Sequence, residues 1–138
     1  KILIAFRKKH SNLRRSKFDV ETIKGIPEMS WHGFNQGKPE WKDDSQWLAL
    51  HLAGDPKAKP PTDHIYLIFN SHWRQHRFEL PRLSSSLEWR RVVDTHLEPP
   101  DDIMESGQEA EIRSQDFYTA RARSVVVLVS TSCSSPEP

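Results

Sequence analysis

The chain has 138 residues and a single cysteine, Cys133, which excludes an intrachain disulfide and fits a reducing compartment. No apolar run approaches the roughly 20 residues of a membrane-spanning helix. Residues 1–6 are basic and then apolar, but they lack the length and the small-residue cleavage site of a signal peptide. Glycine is scarce, with five residues in all, and no glycine-rich loop is spaced to cradle a phosphate. Charge of one sign is also lacking: the formal net charge of +1 gives no general case for a nucleic-acid or membrane-surface partner. There is no initiator methionine, and the expectation is of a piece of a longer protein.

What is present is a mixture of 36% hydrophobic and 28% charged residues, enough for one modest core in a single soluble domain. Residues 1–18 carry seven Lys or Arg and no acid, while residues 97–111 carry acids and no base. The spacing of Ile2, Leu3, Phe6, His10 and Leu13 predicts a helix over 1–16, with Lys8, Lys9 and Arg15 mostly opposite, a solvated basic face. Everything after Phe18 reads as short strands. Residues 28–32 form one, with Met29 and Trp31 on one side, and 46–53 another, with Leu48, Leu50 and Leu52 on one face. At 63–81 two alternating runs flank Asn70-Ser71-His72, which predicts a hairpin closed by Pro81. Residues 87–94 add a strand with Trp89, Arg91 and Val93 alternating against Arg90 and Val92. A long acidic loop at 97–111, expected to be mobile, precedes short strands at 117–120 and 124–129. Residues 130–138 read as a disordered tail. Many short strands without intervening helices predict an all-β antiparallel sandwich of immunoglobulin-like type, preceded by one helix.

The residues offer little chemistry. His72 and His76 are four apart, but across a turn that spacing does not converge, so surface histidines are expected rather than metal ligands. Cys133 has no local histidine or cation to activate it. Asp43-Asp44 and Asp101-Asp102 are adjacent on loops, whereas general acid–base catalysis needs two carboxyls in different environments. No catalytic residue, metal site or cofactor is therefore assigned. Of the five tryptophans, Trp31, Trp47 and Trp89 fall in strands and are expected in the core. Trp41 and Trp73 fall in connections, where a flat exposed ring can stack on a sugar, and these two are the candidate glucan contacts.

Several phrases resemble one family. Residues 3–10, followed by Leu13-Arg14, are similar to the last barrel helix of glycoside hydrolase family 13 enzymes. Ser30-Trp31-His32-Gly33, Trp41 and residues 45–52, 66–70, 78–81, 89–95 and 122–128 resemble the C-terminal domain of isoamylase-type glycogen debranching enzymes. The wording is most similar to cyanobacterial and plant-plastid forms. The resemblance implies enzymes that hydrolyse α-1,6-glucosidic branch points with an aspartate nucleophile and a glutamate acid/base in a (β/α)₈ barrel. Such a barrel needs about 200 residues or more and would precede Lys1. None of its catalytic motifs is matched here. The resemblance thus implies residues 1–17 as the last barrel helix, 18–129 as the sandwich and 130–138 as a tail. It implies the barrel of the same polypeptide as partner, in a bacterial cytoplasm or a plastid stroma; the alternative expectation is a free-standing α-glucan-binding or immunoglobulin-like interaction module. With the barrel absent, the apolar stripe of the helix is expected either to dock on its own sandwich or to pair weakly between copies.

Overall fold

The computed structural model describes residues 1–14, 22, 23 and 25–133. A helix, α1 (Ile2–Lys9), and a 3₁₀ turn (Ser11–Leu13) are followed by ten strands. These are β1 (Thr22–Ile23), β2 (Ile26–Pro27), β3 (Met29–His32), β4 (Trp47–Leu52), β5 (Ile65–Asn70), β6 (His76–Glu79), β7 (Leu87–Asp94), β8 (Ala110–Glu111), β9 (Phe117–Ala120) and β10 (Ser124–Ser132). Six of them form one antiparallel sheet in the order β3-β4-β5-β10-β7-β8; β6 and β9 form a second, and β1 and β2 a small third. The domain is the all-β sandwich expected, with one N-terminal helix.

Register decides which side chains meet. Ala49, Ile68 and Val126 align across β4, β5 and β10, as do His51, Tyr66 and Leu128. This face packs on the β6-β9 sheet through Phe78, Leu80 and Ala120, with Trp89 from β7 beside them, all buried. The opposite face of the same sheet is also buried over much of its area. Leu52, Ile65, Val92, Val93, Val127 and Val129 form a second cluster, covered by Phe6 of α1, Leu13 and Ile103. The six-stranded sheet is thus a middle layer, which is why residues 124–129 are nearly all apolar rather than alternating.

Several expectations change. Residues 63–81 do not form a hairpin: β5 pairs with β4 and β10, whereas β6 pairs with β9 in the other sheet. The connection crosses between layers around buried Asn70, whose amide donates to the carbonyls of Arg74, Ala120 and Arg121 at 3.0, 3.3 and 3.0 Å. Trp89 and Val93 do not share a face. Val127 pairs with Val93 and Leu128 with Arg91, so Val92 is the extra residue of a β-bulge. Trp89 therefore faces the first cluster, while Val92 and Val93 both face the second.

The helix stops at Lys9 rather than 16, because His10 adopts extended backbone (φ −102°, ψ 98°) and turns its ring onto Phe6 and Asp63. Residues 15 and 16 and the expected boundary at 17/18 lie outside the described residues. Loop 97–111 is pinned: Ile103 bridges Val93, and the Met104 N–H donates to the Val92 carbonyl at 2.8 Å. Lys9 Nζ also reaches Ser106 Oγ at 2.7 Å. Ser130 to Ser132, expected in the tail, instead continue β10 against β7, and the Ser130 N–H donates to the His64 carbonyl. Residues 134–138 lie outside the described residues.

Candidate functional site

The two candidate glucan contacts stand apart in their surroundings. Trp41 is 65% exposed in the loop before β4, and its ring meets Trp31 of edge strand β3 edge-to-face at 5.8 Å. Trp73 is 59% exposed at the β5–β6 crossing, but the Arg74 guanidinium lies over its ring at 4.2 Å and occupies one face. Trp31, expected in the core, is instead 37% exposed on the face opposite buried His32, where the ring contact is with Trp41, itself 65% exposed. The structure thus brings Trp41 together with Trp31, not with Trp73. Trp47 and Trp89 do pack inward as expected, Trp89 being 1% exposed with its indole N–H donating to the Pro81 carbonyl at 2.9 Å.

Beside Trp31 a cleft of about 800 Å³ opens between β3, β4 and the end of β6. Gln36, His51, Glu79, Arg82 and Asp116 line it. Both carboxylates are solvent-exposed, and Glu79 accepts the Gln36 backbone N–H at 3.1 Å. They therefore lack the contrasting environments that separate a general acid from a general base.

His72 and His76 do converge, against expectation. The crossing folds back on itself, and the His76 ring stacks on Phe34 at 4.6 Å, which in turn stacks on Trp47 at 4.5 Å. The Arg74 N–H donates to His72 Nδ1 at 3.3 Å, so the proton between the two rings sits on His76 Nε2, 3.0 Å from the same atom. Burial and the neighbouring His72 and Arg74 lower the pKa of His76. The pair caps an aromatic stack. Among the described residues no group of three or more His, Cys, Asp or Glu could hold a metal ion.

A second histidine set escaped the sequence reading. His51 is buried on β4, in van der Waals range of Tyr66 and Trp89. The Gly54 N–H donates to His64 Nδ1 at 3.1 Å, so His51 Nε2 must carry the proton it shares with that atom, also at 3.1 Å. The Gly37 N–H donates to His32 Nδ1 at 2.6 Å, leaving His32 Nε2 to donate to Ser30 Oγ at 2.7 Å. All three rings are held neutral, chiefly by burial; His51, which also feels His64 and His32, is pushed down to about 3. The set is a satisfied structural network. Only the alternation of Leu48, Leu50 and Leu52 was visible beforehand, and it hid that Ala49 and His51 face a second buried layer.

Among the described residues no helix is long and apolar enough to cross a membrane. The family model "Isoamylase 1-3, C-terminal" matches residues 30–133. The chain is 26% identical over 138 aligned residues to isoamylase SU1, chloroplastic, of Zea mays, covering 94% of this chain and 16% of that protein. It is 26% identical over 103 residues to isoamylase 1, chloroplastic, of Oryza sativa subsp. japonica (75% of this chain, 12% of that protein). With isoamylase 2, chloroplastic, of Arabidopsis thaliana the identity is 28% over 81 residues, covering 51% and 9%. The chain therefore spans only a small part of the length of each relative.

Proposed function

The chain belongs to the isoamylase 1-3 C-terminal family, and from that membership we propose that it is the non-catalytic sandwich of a starch- or glycogen-debranching enzyme. The reaction of that enzyme is hydrolysis of α-1,6-glucosidic branch linkages, carried out by a barrel that precedes this domain. The observation that carries the reading is the extent of the match, residues 30–133, which takes in β3 but for Met29 and every strand from β4 to β10. In this reading α1 is the last barrel helix, and the working compartment is the one in the names of the three relatives, the plastid, or the cytoplasm for a bacterial parent.

The open part of the sheet supports a neighbouring domain. Phe6 and Leu13 pack against the second cluster on the middle sheet, whereas Trp31 and Phe69 on the same face remain exposed at 37% and 38%. On α1 itself, Leu3 and Ile4 point outward. Apolar area of this kind is stabilised by burial at about 25 cal/mol per Å² and suits packing against a further domain. The test is reducing-sugar release from a branched glucan. The isolated chain should release none above a no-protein control, and clear release would overturn the non-catalytic assignment.

A second reading, favoured by the exposed Trp31–Trp41 pair, is that the domain also holds α-glucan at Trp41, with Trp73 the weaker contact because Arg74 covers one face. Affinity electrophoresis in glycogen gels separates the two readings: retardation that Trp41→Ala abolishes supports binding, and no retardation at all removes it.

A further inference from the structure

On the side of the sandwich away from Trp31, β7, β9 and the β8–β9 connection enclose a cleft of about 830 Å³. Arg91 from β7, Arg77 from β6, Arg113 from the connection and Arg121 just after β9 all line it. Arginines on a surface are ordinarily offset by nearby acids, and Arg90 shows this, with Glu88 at 2.7 Å and Glu111 at 3.5 Å. None of the four cleft arginines has an ion-pair partner among the described residues. Arg77 lies over the Phe117 ring at 3.8 Å, and Arg121 donates to the Gln75 amide oxygen at 2.7 Å, contacts that orient a guanidinium without neutralising it. Arg91 is half-buried, its side chain meets the Tyr118 hydroxyl, and its Nε, which is shielded from solvent, has no hydrogen-bond partner. An unpaired buried donor is costly unless a ligand or solvent satisfies it.

Two carboxylates also line the cleft, and both are engaged. Asp94 accepts the Tyr118 hydroxyl proton and the His96 N–H, and Glu111 serves Arg90. Hydrogen bonds from neutral donors leave the charge on Asp94, so the excess of four guanidiniums over two carboxylates is what makes the cleft locally positive in a chain whose net charge is only +1. Guanidinium forks match the oxygens of a phosphate, to which they bond in pairs. The cleft is much larger than one phosphate, and the Gln75, Ser114 and Thr119 side chains add neutral hydrogen-bonding groups along its wall. We propose that the arginine cleft between β7 and β9 binds a phosphate monoester of a sugar. The site is separate from the Trp31–Trp41 edge and does not depend on the debranching assignment.

The test is an amide chemical-shift titration of the ¹⁵N-labelled chain at neutral pH and low salt, with glucose 6-phosphate, inorganic phosphate and glucose in parallel. Glucose 6-phosphate should shift Arg91, Arg113 and residues 117–119, and bind more tightly than inorganic phosphate; glucose should shift none of them. The double variant Arg113→Gln/Arg121→Gln, both exposed, should keep the wild-type melting temperature and weaken glucose 6-phosphate at least about tenfold. Arg77→Gln is the second variant should the double one misfold. Arg74→Gln/Arg82→Gln removes the same charge outside the cleft and should leave binding unchanged. Equal weakening by that control, binding of glucose alone, phosphate binding as tight as the sugar ester, or no shifts at millimolar glucose 6-phosphate would each overturn the proposal.

Discussion

Acidification should loosen this domain through one buried ring. His51 is neutral in the fold, donates to His64 and is walled by Tyr66 and Trp89, so its pKa falls to about 3. In the unfolded chain it titrates at about 6.5. Between those values the unfolded state binds the extra proton, so stability is complete above about pH 6.5 and declines as pH falls toward 3. At 1.36 kcal/mol per unit, about 1.5 units below 6.5 costs about 2 kcal/mol near pH 5. That is a large share of the 5–15 kcal/mol that holds a typical domain together. His32 and His64 are lowered in the same direction and add to the loss, although His64 and His51 titrate as a pair. Urea denaturation near pH 7.5 and near pH 5 measures it as a drop in midpoint at constant slope. His51→Gln supplies a comparable N–H donor that does not titrate, and the drop between the two pH values should shrink by about 2 kcal/mol in that variant. An equal drop in variant and wild type would refute the assignment to His51, and no drop in wild type would refute the neutral network.

Other outcomes follow from the packing. Trp89→Ala empties the centre of the first cluster and removes the donor to the Pro81 carbonyl, so a loss of about 3–5 kcal/mol is expected in the same assay. Gly54→Ala should destabilise markedly, since a Cβ there would lie 2.6 Å from both the His64 nitrogen and the Thr62 carbonyl oxygen; an unchanged midpoint would contradict that close approach. Leu3 and Ile4 remain exposed on α1, so sedimentation should show weak self-association that salt promotes by screening the seven basic residues of positions 1–18. Leu3→Ser/Ile4→Ser should abolish it, and a strictly monomeric wild type at both salt levels would remove that partner.

How much was legible from sequence depends on the range of the interaction. Alternation is local, and it placed β7 at 87–94 and β9 at 117–120 with the bounds the structure has. Sheet membership is a matter of distant partners, and nothing between residues 63 and 81 reveals that β6 pairs with residues 117–120 rather than with its neighbour β5. The same limit explains the convergence of His72 and His76, which depends on Asn70 reaching across to Arg121. Trp31 misled for another reason: a tryptophan on a strand is buried only if a layer covers its face, and on β3 it is the His32 face that is covered while Trp31 stays 37% exposed. His51 was overlooked because a sheet buried on both faces gives polar positions no outward face to mark.

The bulge in β7 bears on which changes of chain length the domain can absorb. Residues 87–91 and 93–94 are each in correct register with β10, and Val92 is the one position without a partner there. Deleting Arg90 or Arg91 would swap inner and outer faces along the strand, carrying Trp89 toward the helix side and a charge into the core. Deleting Val92 would join two stretches already in phase, and only one valine side chain and the carbonyl that receives the Met104 N–H would be lost. Tolerance to a one-residue deletion in this strand is therefore concentrated at a single site, and natural length variation in β7 should be found there.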